Sequence, residues 1–499
     1  MLFNSYPFLF IFLPVALLGF HALGQFGRRP VVAWLGLMSV VFYWEWNHTF
    51  VVFLLASIAV NFLISRLIGD APEDGRQRKL LLYLGISVNL LALFYFKYLF
   101  KLGAVLAGWH LMKAPAPILL PLGISFFTFT QISYLIDLAQ GQAEEKDFLS
   151  YLLFVTFFPH LIAGPILHHK EMMPQFAEGR RFGLTAENFS LGFTWFVFGL
   201  AKKVLIADYL AAYADHAFSH AGTLGVLSAW MGLVVYSMQL YFDFSGYSDM
   251  AIGLARIFGI RFPMNFNSPW KATSVTEYWQ RWHMTLTRYI TLYLYNPLLL
   301  SVQRRRVAAG KKVSRKSLAT FGGFTAMVAY PTMITMLLTG LWHGAGLQFL
   351  IFGALHGVYL TAAQAWRHFR SNSSTTAKWP LLPMRLGVYL QVIFALIFFR
   401  SESLGKAFAL IGDMFGRRGL GSFNADAAVF LTLALFPVIW YAPNTQEILG
   451  QQSEDPTVPS ILQRLQWRRT IPWAALTSVI FFAALVLMDQ HSSFLYFQF

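Results

Sequence analysis

Two histidines sit where an ionisable group is hard to accommodate. The run "YPTMITMLLTGLWHGAGLQFLIFGALHG", 330–357, carries His343 and has no carboxylate, Lys or Arg. The second, His283, lies in "QRWHMTL", inside a stretch that mixes Trp, Tyr and Arg. An imidazole can accept a proton near neutral pH or ligate a metal, and it can equally be a hydrogen-bonded packing group. Metal ligation has little support: nothing resembles H-E-x-x-H, and the adjacent pair His168–His169 reads as part of a loop without partners. No metal is expected. A Ser–His–Asp hydrolase arrangement lacks its G-x-S-x-G elbow.

Other polar residues fall at helical spacing inside apolar runs. Thr332, Thr335, Thr339 and His343 share one helix face, as do Thr130, Tyr134 and Asp137, and as do Tyr236, Gln239 and Asp243. Asp243 and Asp249 are carboxylates in the same apolar setting. Ionisable groups in a membrane segment usually face a bundle interior or a cavity and mark a functional site; the plainer alternative is hydrogen bonding between helices that fixes packing. Three such stripes and a histidine within one long run favour a polar passage.

The elements that must hold these residues are membrane helices. Of 499 residues, 57% are hydrophobic and 12% charged, against about 25% charged in a soluble protein. Apolar segments recur near 6–24, 30–46, 49–69, 80–109, 117–139, 148–167, 189–219, 224–259, 319–339, 341–366, 384–400, 426–443 and 471–490, many of them near the ~20 residues a spanning helix needs. Backbone in lipid must satisfy its own hydrogen bonds, so the expectation is an all-α polytopic membrane protein, one domain over 1–499, with about 11 to 13 hydrophobic helices, not all spanning. The first run lacks the basic leader of a cleaved signal. The absence of cysteine excludes disulfides and thiol chemistry. The net charge of +15 fits a positive-inside bias rather than nucleic acid.

The stretch "QRRRVAAGKKVSRK", 303–316, with seven basic residues and no acid, predicts a cytoplasmic loop. The acidic "AEEKD", 143–147, is a candidate for the opposite side. Between them, 261–300 gives no clean span and suits an interfacial or re-entrant segment. Ser274 and Glu277 there have capping-box spacing.

Taken in order, "YFDFSGYSDMAIGLARIFGIRFPMNFNSPW", "EYWQRWHMTL", "GLWHGAGLQFLIFGALHG", "FFRSESL" and "APNTQEI" resemble the membrane-bound O-acyltransferase family. The resemblance is strongest to its bacterial alginate O-acetyltransferase branch, related to the membrane D-alanyl transferase of teichoic acids. It runs from "LFNSYPFLFIFLPV" to "PNTQ". One stretch departs: after "RWHMTLT" the alginate-type pattern continues with an Arg-Asp pair and "YIPLGG", whereas this chain reads "RYITLYLYNPLLL".

The resemblance implies a helical bundle with a central tunnel in the bacterial inner membrane. An acyl thioester such as acetyl-CoA enters from the cytoplasm as substrate, with no permanently bound cofactor. A hydroxyl on an exported polysaccharide, or a periplasmic acetyltransferase partner, meets it from the outside. Surrounding lipid is the remaining partner, and nucleic acid is not one. His343 corresponds to the family's invariant membrane histidine and is expected to be the general base; His283 corresponds to its second motif histidine. Trp342 is expected to wall the tunnel, with Gly344 and Gly346 allowing close approach. Tyr236, Gln239, Asp243, Asp249 and Trp282 are expected to line it. Arg281 and Lys271 could meet a phosphate-bearing donor by charge, a solvated interfacial role being the plainer reading. The competing class is a transporter with a polar path through paired halves, but no correspondence between halves is visible. Within the enzyme class, other acceptors remain open: teichoic acid, peptidoglycan, a lipid or a protein.

Overall fold

The apolar runs become helices wherever no proline or glycine cluster interrupts them. The computed structural model describes residues 1–73, 75–108, 110–113, 116, 118–177, 182–370, 380–421, 425–450, 464–488 and 494–495. Among these the regular structure is helical throughout, with no strand. Seven helices are long and apolar enough to cross a bilayer, and three shorter apolar helices accompany them. The runs near 30–46 and 224–259 form the helices Arg28–Trp44 and Val226–Ile257. The run 148–167 is the exception. Its helix ends at Thr156, and 157–167, with two prolines and Gly164, continues as buried non-helical backbone. Non-helical chain at membrane depth needs such protein cover.

The chain divides into two compact units, Met1–Leu205 with Phe244–Met264 and Trp467–Gln498, and Ile206–Asp243 with Asn265–Gln466. In the first, Phe3, Phe8, Phe12, Phe42 and Phe158 interlock edge and face. Helix Ala186–Ala201 packs there against residues 244–257 at glycine positions: a Cβ on Gly192 would overlap the Gly253 carbonyl oxygen, and one on Gly199 would meet that of Gly246. Small residues let backbones approach where apolar burial alone gives no driving force.

The stripe Thr130–Tyr134–Asp137 belongs to this unit and takes the plainer role. Thr130 bonds back to the Phe126 carbonyl at 3.0 Å, and Asp137 lies 3.7 Å from His168. His168 and His169 therefore do have partners, since His169 also stands 3.5 Å from Glu145. The acidic run 143–147 sits at an end of this unit that arginines also reach. Arg28 bonds Ser150, and Arg78 bonds the Leu138 carbonyl.

In the second unit, seven helices position the candidate residues: α1 (Val226–Ile257, whose last turns belong to the first unit), α2 (Val275–Trp279), α3 (Met284–Ile290), α4 (Asn296–Ala308), α5 (Tyr330–His343), α6 (Leu347–Arg370) and α7 (Leu381–Arg400). The stretch 261–300 is broken into short pieces, its buried residues lying between 262 and 290. Ser274 caps α2 by accepting from the Glu277 amide, but the Glu277 carboxylate reaches Thr273, one residue further back than a capping box. The stretch that departs from the alginate-type pattern holds a π-helical segment, Thr291–Tyr295; such turns carry one residue more than an α turn.

Candidate active site

His343 ends α5, where the chain leaves the helix at an extended Gly344. The ring is 4% exposed. It stands edge-on to Trp342 at 4.8 Å, Phe399 of α7 at 5.1 Å and Phe352 of α6 at 5.8 Å, so three helices converge on one imidazole. Glycines set that convergence. A Cβ on Gly340 would overlap the Phe349 carbonyl, one on Gly353 the Met336 carbonyl, and one on Gly344 the Phe349 ring. Gly344 is thus required for space and not for its backbone angles; at Gly346 a Cβ would meet only the flexible end of Gln348.

The α5 stripe is buried along its length, at Thr332, Thr335, Thr339 and His343. Thr339 donates to the Thr335 carbonyl at 2.8 Å, while the Thr335 hydroxyl has no partner among the described residues. On α1, Tyr236, Gln239 and Asp243 are likewise buried. The Tyr236 hydroxyl and Gln239 Oε1 have no hydrogen-bond partner among the described residues, which fits groups facing water or a ligand. The Tyr236 ring also lies 6.0 Å from the Arg400 guanidinium, itself paired with Asp215 at 2.6 Å. Asp249 lies in the first unit, held by Lys202 at 2.6 Å and by the Trp195 indole at 3.2 Å.

His283 is fully buried and precedes α3 in a left-handed conformation (φ 42°, ψ 54°). Its Nδ1 lies 2.9 Å from Asn265 Oδ1, which also accepts from the Thr285 amide at 3.3 Å and the Thr285 hydroxyl at 2.9 Å. A backbone amide only donates, so the Asn265 atom is the oxygen and His283 Nδ1 carries the proton. Nε2 is left as the basic nitrogen. Burial pushes this imidazole down to about 3, so the ring is neutral near pH 7.

Around it, Trp282 stacks on Tyr278 at 5.7 Å and meets Phe266 edge-on at 5.0 Å. Arg281 is held in place, with Nε and Nη2 both 2.9 Å from Glu277 Oε1 and Nη1 donating to the Asn267 carbonyl at 3.2 Å. Lys271 is not solvated: it is 2% exposed in a single 3-10 turn, Pro269–Lys271.

Two residues that sequence reasoning missed complete the geometry. Asn265, eighteen residues before His283, orients that ring. His356 on α6 is buried beside Phe352, at 4.7 Å, and its Nδ1 lies 3.2 Å from the Trp279 indole nitrogen of α2. The signal for His356 was its place one helical turn after Phe352 on a buried face; nothing in the sequence pairs it with Trp279. Among the described residues, no group of three or more His, Asp or Glu has metal-holding geometry.

The membrane-bound O-acyltransferase family model matches residues 86–404, a region that contains both histidine motifs and every candidate above. The chain belongs to the membrane-bound O-acyltransferase family. It is 35% identical to the peptidoglycan O-acetyltransferase of Helicobacter pylori over all of this chain and 98% of that protein. It is equally 35% identical to the probable alginate O-acetylase of Pseudomonas aeruginosa over the full length of both. A more distant likeness, 28% over 51% of this chain and 62% of the relative, is to the teichoic acid D-alanyltransferase of Bacillus subtilis. This member of the family is therefore an O-acyltransferase and a multi-pass membrane protein.

Proposed function

We propose that the protein transfers an acetyl or other short acyl group from a cytoplasmic thioester, acetyl-CoA or one of similar reactivity, to a hydroxyl of an exported polysaccharide in the bacterial inner membrane, directly or through a periplasmic partner protein. The observation that carries this reading is the setting of His343: a buried imidazole at a helix end, walled by aromatic rings of three helices, with the polar face of α5 running up to it. In that setting His343 takes the proton of the acceptor hydroxyl. The freed oxygen bonds to the thioester carbonyl carbon, the carbon–sulfur bond breaks, and the departing thiolate recovers the proton. Trp342 shields the reacting atoms from water, and Tyr236, Gln239 and Asp243 line the polar approach. His283, with its basic Nε2, orients substrate or relays a proton.

A glycan acceptor is supported by the names of two full-length relatives, one acting on alginate and one on peptidoglycan. The D-alanyl transferase relative keeps a teichoic acid acceptor as the alternative. The test is incubation of purified protein with labelled acetyl-CoA and a panel of alginate, cellulose, peptidoglycan and teichoic acid fragments. Label in one glycan is expected. Transfer from an acylated lipid but not from acetyl-CoA overturns the donor assignment.

A further inference from the structure

The first unit holds a cavity with no part in the acyl-transfer reading. It lies between helix Ala186–Ala201 and the helix Ile471–Leu487, has a volume of about 500 Å³, and every residue lining it belongs to that unit. Phe193 meets Phe481 at 5.3 Å and Phe198 meets Trp473 at 6.4 Å, so aromatic rings hold the two helices together beside it.

The lining changes character along its length. At the start of helix Ile471–Leu487 it consists of Trp467, Arg468, Arg469 and Thr470. Both arginines are exposed, and no lining residue is acidic. Glu187, the carboxylate nearest to the lining in sequence, lies 3.7 Å from Arg256. Thr470 is the N-cap yet makes no side-chain bond to the first turn, and an uncapped helix start beside two cations favours an anion. Further along, the lining is Phe189, Phe193, Trp473 and Ala474. The hydroxyls of Ser190, Thr194 and Thr477 donate to carbonyls of their own helices at 3.2, 2.8 and 2.8 Å, so this part makes no polar demand on what fills it.

Helix Ile471–Leu487 is apolar and exposes Ile471, Val479 and Phe482, as a lipid-facing helix does. Trp and Arg at its start mark the headgroup level, and from Thr470 to Ser478 it rises about 12 Å. Cations at headgroup level with an apolar wall beyond them repeat the order of charge and chain in a phospholipid. Interfacial anchoring explains the Trp and the arginines but not the groove beside them.

We propose that this groove binds one anionic phospholipid of the bilayer, its phosphate paired with Arg468 and Arg469 and an acyl chain laid between the two helices. Guanidinium forks match phosphate oxygens, and basic pockets between membrane helices hold acidic head groups in this way. No bond is made or broken, so the test does not depend on acyl transfer.

The full chain is purified, delipidated in detergent and titrated with phosphatidylglycerol, phosphatidylcholine or inorganic phosphate, with lipid retained per chain and melting temperature as readouts. The variants are Arg468→Gln with Arg469→Gln, which removes both cations, and Ala474→Trp, which fills the groove from an exposed position. One phosphatidylglycerol per chain is expected to bind saturably and raise the melting temperature. The arginine variant is expected to bind it about 30-fold more weakly, and Ala474→Trp to lose the bound lipid. Equal binding of phosphatidylglycerol and phosphatidylcholine by wild type and the arginine variant would show only a lipid annulus and overturn the proposal. Equal stabilisation by inorganic phosphate would show a bare anion site and overturn it too, as would unchanged binding by Ala474→Trp. A wild-type chain that binds no phosphatidylglycerol but dimerises in detergent, with Ala474→Trp monomeric, would give the groove to a second copy and equally overturn it. If Ala474→Trp does not fold, the arginine variant, altered only at exposed side chains, decides alone.

Discussion

At the scale of single residues, the chemistry turns on which imidazole nitrogen holds a proton. His343→Ala is expected to lower acyl transfer by about 10²–10⁴-fold, the range of a missing general base, while the melting temperature of the purified protein stays near that of wild type. If the ring were only a packing group, His343→Gln would restore activity and stability together, and a parallel fall and recovery of both would count against the base role. His283 makes a second prediction. Burial pushes it down to about 3, whereas a histidine in an unfolded chain titrates near 6.5. Between those values the unfolded state binds more protons than the folded one, so its contribution is complete above pH ~6.5 and is lost as pH falls toward the folded value, at about 1.4 kcal/mol per pH unit at most. Thermal unfolding at pH 4.5, 5.5, 6.5 and 7.5 in one detergent should show stability rising across that series. His283→Asn should flatten the slope, and an unchanged slope would mean the ring is not held neutral. His343, His283 and the polar stripes were legible because spacing along one helix needs no knowledge of the fold. The Trp279–His356 bond spans 77 residues and the Asn265–His283 bond eighteen, so neither pairing leaves a periodic trace.

At the scale of elements, the α5–α6 hairpin holds the site together by the absence of side chains. Gly353→Ala places a methyl against the Met336 carbonyl, backbone that cannot rotate away. It is expected to cost about 1–3 kcal/mol, as overpacking typically does, and to reduce transfer by shifting Phe352 against His343. Gly387→Ala on α7 meets nothing within 4 Å and is expected to be neutral or mildly stabilising, by up to about 1 kcal/mol from helix propensity. Comparing unfolding midpoints of the two variants checks this, and equal effects would remove close packing as the cause. Most helices could be read from apolar length alone. The segments 157–167 and 261–283 could not, because their burial comes from neighbours distant in sequence and not from their own periodicity. Lys271 was misjudged for the same reason: a lysine beside Trp270 looks interfacial until tertiary packing covers it.

At the scale of the whole molecule, charge sets orientation. The segment 303–316 ends α4 and continues through an exposed turn at Gly310, and its seven basic residues are expected to face the cytoplasm by the positive-inside bias. The chain has no native cysteine, so Ala308→Cys, at an exposed position, reports on this site alone. A membrane-impermeant maleimide is expected to leave intact cells unlabelled and to react after permeabilisation. Labelling of intact cells would invert the topology and move the donor side with it.

The left-handed backbone at His283 carries a consequence for laboratory evolution. Glycine adopts that conformation freely and asparagine adopts it comparatively often, whereas an ordinary side chain there costs about 1–2 kcal/mol. Position 283 is therefore where two selections should pull apart. A library randomised at that codon and sorted only for well-folded, abundant protein should enrich Gly and Asn. The same library sorted for acylated product should return His, with the discarded stability as the visible mark of what the imidazole is kept for.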